Sequence, residues 1–225
     1  MIRFIGRTVL GLPGKAGDVM AYVGGVALLL ARTVRAIPGA LLGVNWRDWV
    51  AASRIGARAV REHIGAQRPF VIAGGGGWTP QAAQALQRFA ENWRLPVGNA
   101  FRFQDTFDNF HPQYAGDVGI GINPMLAKRV RESDLVIAIG PRLGEMTTSG
   151  YTLLQAPKAA QTLVHIHASA EELNRVYHAD LAIHASMRAA ARSLEVITAP
   201  VSLPWESWTQ GCNADYLANL QPSTI

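Results

Sequence analysis

Short apolar runs alternate with amphipathic segments along most of the chain. Runs of four to six apolar residues are typical of strands buried in a parallel sheet, and apolar residues at helical spacing separate them. The pattern predicts strands that start at Phe70, Leu95, Leu135, Thr162 and Asp180 and end near Ala73, Ala100, Gly140, His167 and His184. It predicts helices over Trp46–Gly65, Gln81–Trp93, Pro124–Glu132 and Ala170–Arg175, and from Ser186 to Ile197.

This alternation of strands and helices predicts an α/β fold, with a parallel sheet covered by helices on both faces. Ligands of such sheets bind at the carboxyl ends of the strands. Four segments that follow strands are therefore candidate binding segments: residues 74–79, 99–108, 140–149 and 165–169.

The first of these segments is a run of four glycines directly after a predicted strand. Gly74, Gly75, Gly76 and Gly77 would let the backbone turn tightly and approach a ligand. Thr79 is placed to cap the next helix, with Pro80 in its first turn, so that free N–H groups face the loop. Strand, glycine turn and helix N-terminus together predict an anion site of the kind that holds nucleotide phosphates. The motif is incomplete, because Thr79 stands where GxGxxG requires glycine.

The other candidate segments contribute polar side chains. Gly140 ends a strand, and Arg142 after it is placed either to bind a phosphate or to form an ion pair with Glu145. His165 and His167 have strand spacing and should face one side of the sheet, without a third ligand for a metal. The second segment adds polar residues suited to line a cleft: Arg102, Gln104, Asp105 and Asp108. His111 is interpreted as a loop hydrogen-bonding residue, and no catalytic residue is predicted.

The composition of the chain narrows the kinds of function and partner that we expect. The chain has 225 residues, of which 49% are hydrophobic and 16% charged, which favours a sizeable core. The net charge of +5 is spread along the chain rather than clustered, so a nucleic-acid partner is not expected. Cys212 is the sole cysteine, which rules out an internal disulfide and favours a cytoplasmic location.

The two ends differ from the middle. Residues 1–45 are predicted to form an apolar and basic helical extension, and residues 46–68 a linker helix. The apolar run Val19–Ala31 is shorter than the roughly 20 residues that span a bilayer. An interfacial helix at the membrane surface within residues 1–35, a signal-like start and a partner-binding helix remain alternatives. This segment faintly resembles the start of an MlaE-type permease. Residues 199–225 are expected to be an irregular tail, with Trp205 and Trp208 leaning on something outside the chain.

Residues 69–198 resemble the central domain of thiamine-diphosphate-dependent enzymes of the acetolactate synthase type. The resemblance rests on PFVIAGGGGW at 69–78, GDVGIG at 116–121, DLVIAIGPR at 134–142 and HIHASAEE at 165–172. It implies a six-stranded, Rossmann-like parallel sheet of the DHS-like NAD/FAD-binding kind, which in relatives binds FAD, ADP or nothing. It also implies that Gly75, Gly76, Arg142 and the segment around His165 face the nucleotide.

The chain departs from this family in two respects. His167 and Ser169 stand where flavin-binding members often have aspartates, which weakens the expectation of FAD. The domains that hold thiamine diphosphate and magnesium in the family are not recognisable, because Gly116-Asp117 lacks the third glycine and the downstream asparagines. The resemblance therefore implies a truncated, non-catalytic central domain of a carboligase or decarboxylase. A free-standing FAD- or ADP-binding module and an accessory subunit of a thiamine-diphosphate enzyme are the alternatives. The partners considered are a second copy of the chain, as a homo-oligomer, and a thiamine-enzyme partner chain.

Overall fold

A six-stranded parallel sheet forms the centre of the fold. The computed structural model describes residues 66–195, 197–199 and 201–221. The strands are β1 (Pro69–Ala73), β2 (Val97–Ala100), β3 (Tyr114–Val118), β4 (Leu135–Ile139), β5 (Thr162–His167) and β6 (Leu181–His184). The helices are α1 (Pro80–Trp93), α2 (Pro124–Glu132), α3 (Met187–Glu195) and α4 (Glu206–Asn219), with 3-10 turns at Gln104–Thr106 and Ala170–Glu172.

The order of the strands across the sheet is β3-β2-β1-β4-β5-β6, and each pair is parallel. The chain moves outward from β1 in one direction and then returns to start β4 on its other side. The switch point of this doubly wound sheet therefore lies between β1 and β4, where such sheets place their ligands. The predicted α/β fold with a Rossmann-like sheet is confirmed.

The centre of the sheet is the most deeply buried part of the domain. All five residues of β1 are buried, and in β4 Ile137 alone is partly exposed. A strand that protein covers on both faces has no side chains that face solvent. This explains why the sequences of β1 and β4 are continuous apolar runs. The connections β1–α1–β2 and β3–α2–β4 carry helices, and α1 packs against α3.

The start of α1 matches the sequence prediction. Thr79 is the N-cap, and its Oγ1 accepts a hydrogen bond from Ala82 N at 3.2 Å, with Pro80 at the first helical position. The helix ends at Arg94 in the left-handed conformation, with φ of 48°. These caps fix the direction in which the backbone leaves the glycine run.

Several elements of the structure differ from the sequence predictions. β3 is absent from the apolar pattern because Gly116 and Asp117 interrupt its apolar residues. The helix predicted over residues 170–175 is a single 3-10 turn, and Ser169 makes no side-chain capping bond there. The last predicted helix of the domain ends at Glu195 rather than at Ile197.

The segment predicted to be an irregular tail contains α4, which packs against β3 and α2. Trp205 and Trp208 are 3% and 9% exposed. Trp205 Nε1 donates to Trp93 O at 2.7 Å, and Trp208 Nε1 donates to Pro69 O at 3.0 Å. The expectation that these indoles lean on something outside the chain is therefore wrong, since the domain itself buries them.

The predictions for residues 1–45, including the membrane-surface helix and the permease-like start, and most of the linker helix predicted over residues 46–68 lie outside the described residues. Within the part that the structure describes, no helix is both long and apolar enough to cross a membrane.

Candidate functional site

The glycine run turns at the carboxyl end of β1, beside the carboxyl end of β4. Gly74 N donates to Ile139 O at 3.1 Å, which continues the pairing of the two strands into the turn. Gly75 and Gly77 have φ values of 76° and 89°, in the region that favours glycine. Trp78 Nε1 donates to Gly74 O at 2.7 Å and closes the turn from within the chain.

Gly75 and Gly140 occupy the switch point between the two strands. A Cβ on Gly75 would lie 1.9 Å from Gly140 O, and a Cβ on Gly140 would lie 2.2 Å from Gly74 O. The two backbones are thus packed directly on each other, and this contact requires glycine on both sides. Gly76 and Gly77 differ, because a Cβ on either would have open space around it. These two glycines leave room for another molecule, whereas Gly75 and Gly140 hold two strand ends together.

A cleft of about 400 Å³ lies beside the switch point, at the carboxyl ends of β2, β4 and β5. Its walls are aromatic and apolar, and its rim carries charged side chains. The lining residues are Ala100, Phe101, Phe103, Pro141–Thr147, Tyr151, His165, Glu172, Arg175, Val176 and Tyr177. The predicted residues Arg142 and His165 therefore lie in this cleft, and Gly74–Gly77 lie outside its lining.

Two arginines at the rim of the cleft share one carboxylate. Glu172 Oε1 lies 3.2 Å from Arg142 Nη2 and 2.8 Å from Arg175 Nη1. The Glu172 side chain is 9% exposed, whereas the two arginine side chains are 70% and 63% exposed. The predicted ion pair of Arg142 thus forms with Glu172 rather than with Glu145. The arginines keep most of their donors toward solvent, but Glu145 and Glu172 balance their two charges among the residues that line the cleft.

His165 and His167 lie side by side, with ring centroids 5.9 Å apart, as strand spacing predicts. His165 is 2% exposed and its Nε2 lies 3.0 Å from Pro141 O. Because a carbonyl oxygen can only accept, Nε2 carries the hydrogen. Burial lowers the pKa of His165 and outweighs the bond to Pro141 O, which raises it. His167 Nδ1 accepts from Ser169 N at 3.0 Å and holds the turn after β5. Both rings therefore support the backbone of this edge.

The polar residues predicted to line a cleft in the second segment lie elsewhere. Gln104 donates to Asp117 Oδ2 at 2.9 Å, and Arg102 stacks on Phe101 with its guanidinium carbon 5.3 Å from the ring centroid. Neither they nor Asp105 and Asp108 are among the residues that line the cleft. This loop contributes the aromatic residues Phe101 and Phe103 to the cleft instead. His111 Nε2 lies 3.1 Å from Glu91 Oε1, which confirms its interpretation as a loop hydrogen-bonding residue.

A second cleft of about 240 Å³ lies at the β3 edge of the sheet, between β3, α2 and α4. Asp117, Asn123, Asp215 and Tyr216 are among its lining residues. Arg129 Nε donates to Asp215 Oδ2 at 2.7 Å, so the charge of Asp215 is neutralised. The sequence pattern missed this cleft because α4 was not predicted and one whole wall of it comes from that helix.

Sequence reasoning also missed Glu172 and Arg175 as residues of the first cleft. Their spacing of three residues was a usable signal, because such pairs meet on one side of a helical turn. The aromatic lining residues carried no comparable signal, since an aromatic residue in a loop is as often part of the core. Only the folded structure shows that the loops after β2, β4 and β5 meet at one cleft.

Comparison with known proteins agrees with this architecture. Residues 57–194 match the family described as "Thiamine pyrophosphate enzyme, central domain". The chain is 30% identical over 154 residues to a sulfoacetaldehyde acetyltransferase of Alcaligenes xylosoxydans xylosoxydans, covering 68% of this chain and 25% of that protein. It is 35% identical over 89 residues to a 3D-(3,5/4)-trihydroxycyclohexane-1,2-dione hydrolase of Bacillus cereus, covering 40% of this chain and 14% of that protein.

The aligned parts thus span a quarter or less of each of these relatives. The family match covers more than half of the present chain, and its limits enclose all six strands of the sheet. The chain belongs to the family of thiamine pyrophosphate enzyme central domains.

Proposed function

We propose that this chain serves as a structural, non-catalytic central domain of an acetolactate synthase-like enzyme. In this proposal the pyrimidine- and diphosphate-binding domains, which supply thiamine diphosphate chemistry, belong to other parts of the assembly. The observation that carries the proposal is the position of Glu172, which already holds both arginines of the main cleft. The charges that would recognise a phosphate are thus engaged within the domain.

The residues that the structure describes do not fit a thiamine diphosphate and magnesium site. The sequence Gly116-Asp117 is the nearest approach to the family's metal motif. In the fold, Asp117 lies on β3, with Oδ1 buried and Oδ2 held by Gln104. This carboxylate is built into the edge of the sheet rather than presented to a metal ion.

The test uses the full chain with pyruvate, thiamine diphosphate and Mg²⁺. We expect no acetolactate above the protein-free control, and no heat of thiamine diphosphate binding in calorimetry. A full-length acetolactate synthase assayed in parallel serves as the positive control. Acetolactate production by the chain alone would overturn the proposal.

A second candidate function is the binding of ADP or FAD in the main cleft. The observation that favours it is the combination of Phe101 and Phe103 on the walls with Arg142 and Arg175 at the rim. Aromatic walls suit a base, and guanidinium groups suit a diphosphate. A nucleotide would have to compete with Glu172 for both arginines.

The two candidates are separated by thermal shift with ADP and with FAD. The structural proposal expects no shift in the wild type at millimolar ADP. If the cleft is an ADP site, Glu172→Gln should bind ADP several-fold more tightly than the wild type, because it frees both arginines. Glu171→Gln is the matched control, since Glu171 is adjacent and exposed. A shift in the wild type that Glu172→Gln strengthens and Glu171→Gln leaves unchanged would favour the second candidate.

A further inference from the structure

Two buried oxygen atoms on neighbouring strands lack hydrogen-bond donors. Asn99 on β2 is fully buried, and its Nδ2 donates to Phe103 O and, at 2.8 Å, to Thr106 Oγ1. Asp117 on β3 accepts from Gln104 Nε2 through Oδ2 at 2.9 Å. No donor among the residues that the structure describes reaches Oδ1 of Asn99 or Oδ1 of Asp117.

These two residues are direct neighbours across the sheet. Asn99 and Asp117 are register partners in the parallel pair β2–β3. Register partners lie about 4.8 Å apart along the hydrogen-bonding direction and point to the same face. Both side chains also bond to the 3-10 turn Gln104–Thr106, which covers that face. The two Oδ1 atoms therefore share one small buried layer.

An ionised Asp117 would make this layer unfavourable. Two buried acceptors on register partners would be left without a donor, and a buried acceptor left unpaired costs free energy of desolvation. One added proton removes both problems, because a protonated carboxyl is a donor as well as an acceptor.

We infer that Asp117 is protonated in the native protein at pH values at which exposed aspartates are ionised, and that its Oδ1–H donates a hydrogen bond to Asn99 Oδ1. The proton is taken from solvent, and no covalent bond other than O–H forms or breaks. The result is a neutral amide–acid pair that joins β2 to the edge strand β3.

The charged groups around Asp117 do not oppose this assignment. Among the titratable groups on the surrounding elements are Tyr114 on β3, Asp105 on the 3-10 turn, Arg129 on α2, and Asp215 and Tyr216 on α4. Arg129, the cation nearest the second cleft, is bound to Asp215. Asp117 is in none of the ion pairs between residues that the structure describes. Burial raises the pKa of the Asp117 carboxyl by more than the Gln104 hydrogen bond lowers it.

The test compares the full-length wild type with Asp117→Asn, whose amide reproduces the donor and acceptor of the protonated acid. Infrared difference spectra at about pH 5.5, where exposed aspartates of pKa about 3.9 are ionised, should show a protonated-carboxyl band in the wild type that Asp117→Asn lacks. Asp105→Asn, a change on the exposed side of the same turn, should keep the band. If the wild type shows no such band, the assignment is overturned.

Unfolding by urea across pH gives a second, independent readout. A native-state pKa above the unfolded value stabilises the protein below the unfolded pKa, and this stabilisation is lost as pH rises through the native pKa. The wild type should therefore lose stability relative to Asp117→Asn as pH rises above about 4. Between the two pKa values, the ratio of their unfolding constants should change by up to about tenfold per pH unit. A flat ratio, or a wild type that gains on Asp117→Asn, overturns the assignment.

If Asp117→Asn does not fold, the carboxyl carbon of Asp117 is followed by NMR in the wild type. A titration midpoint above about pH 5.5 supports the protonated acid, and a lower midpoint overturns it.

Discussion

Gly75 and Gly140 show how single residues position the edge of the sheet that carries the main cleft. Each sits at the end of a central strand, has a positive φ, and would bring a Cβ into the backbone of the other strand end. The distance of 1.9 Å from a Gly75 Cβ to Gly140 O is far below van der Waals contact. The glycine at position 75 is therefore required for packing, independently of any ligand.

Replacement of Gly75 by alanine should destabilise the domain severely. The added Cβ meets backbone, which cannot move aside as a flexible side chain can, and the φ of 76° adds strain. We expect a loss of about 3 kcal/mol or more in the free energy of unfolding, measured by urea denaturation. Gly76→Ala is the matched control, with open space around its Cβ and an expected change within about 0.5 kcal/mol. Equal effects of the two substitutions would refute this account.

His165 allows a prediction at the same scale. Its native pKa is lowered, so protonation favours the unfolded chain, and stability is lost as pH falls from the unfolded value of about 6.5 through the native pKa. We expect the melting temperature of the wild type to fall between pH 7 and pH 5 more than that of His165→Gln. The exposed His178, replaced in the same way, should leave the pH profile of the wild type unchanged. Parallel profiles for wild type and His165→Gln would contradict the prediction.

For single residues, the sequence predicted local contacts better than contacts between distant parts of the chain. The cap by Thr79, the neighbouring rings of His165 and His167 and the hydrogen bonds of His111 follow from local chemistry and are confirmed. The partner of Arg142 is Glu172, some 30 residues further along the chain. Such a pairing depends on how two loops meet, which no local pattern records.

Among the elements, α4 contacts parts of the domain that lie far apart in the sequence. It starts beside the end of α1, where Thr209 Oγ1 donates to Arg94 O at 2.6 Å. It then runs along the edge strand, where Asn213 Nδ2 donates to Tyr114 O at 2.8 Å. An uncovered edge strand can pair with another chain, and a covering helix prevents this. The helix thus completes the sheet on its β3 side.

Trp208 is the main attachment of this helix. Its indole is buried and donates to Pro69 O. The guanidinium carbon of Arg129 lies over the indole, 4.8 Å from the ring centroid. Trp208→Ala should lower the free energy of unfolding by about 3–5 kcal/mol. Leu217→Ala, on the same helix but half exposed, should change it by about 0.5 kcal/mol or less. Chemical denaturation followed by circular dichroism measures both variants, and a mild effect of Trp208→Ala would show that the helix is dispensable.

The two elements that the sequence pattern missed have a common physical cause. β3 carries Gly116 and Asp117 at its centre, and α4 carries glycine, asparagine and scattered aromatic residues without a clean apolar stripe. Each is stabilised by the other: the rings of Tyr114 and Tyr216 meet edge to face at 4.8 Å. Elements that depend on such tertiary contacts lack the periodicity that marks the central strands and α1.

For the whole molecule, these contacts predict that α4 unfolds together with the sheet. The amides of α4 should exchange with solvent deuterium at rates set by global unfolding, as those of β1 and β4 do. Hydrogen exchange followed by mass spectrometry on the full chain measures this peptide by peptide. Exchange in α4 that is orders of magnitude faster than in β1 would show that the helix is a separate, weakly docked segment.

The attachment of α4 also has a consequence for the order of folding during synthesis. Trp208 holds the amino end of β1, and Asn213 holds the edge strand β3. Contacts of the first strand that the structure describes therefore form only after its last described helix has been made. On the ribosome the nascent sheet therefore keeps an open edge at β3 until the chain beyond residue 213 has emerged. During that interval the half-finished domain is the form most exposed to strand pairing with other chains, and the most in need of a chaperone.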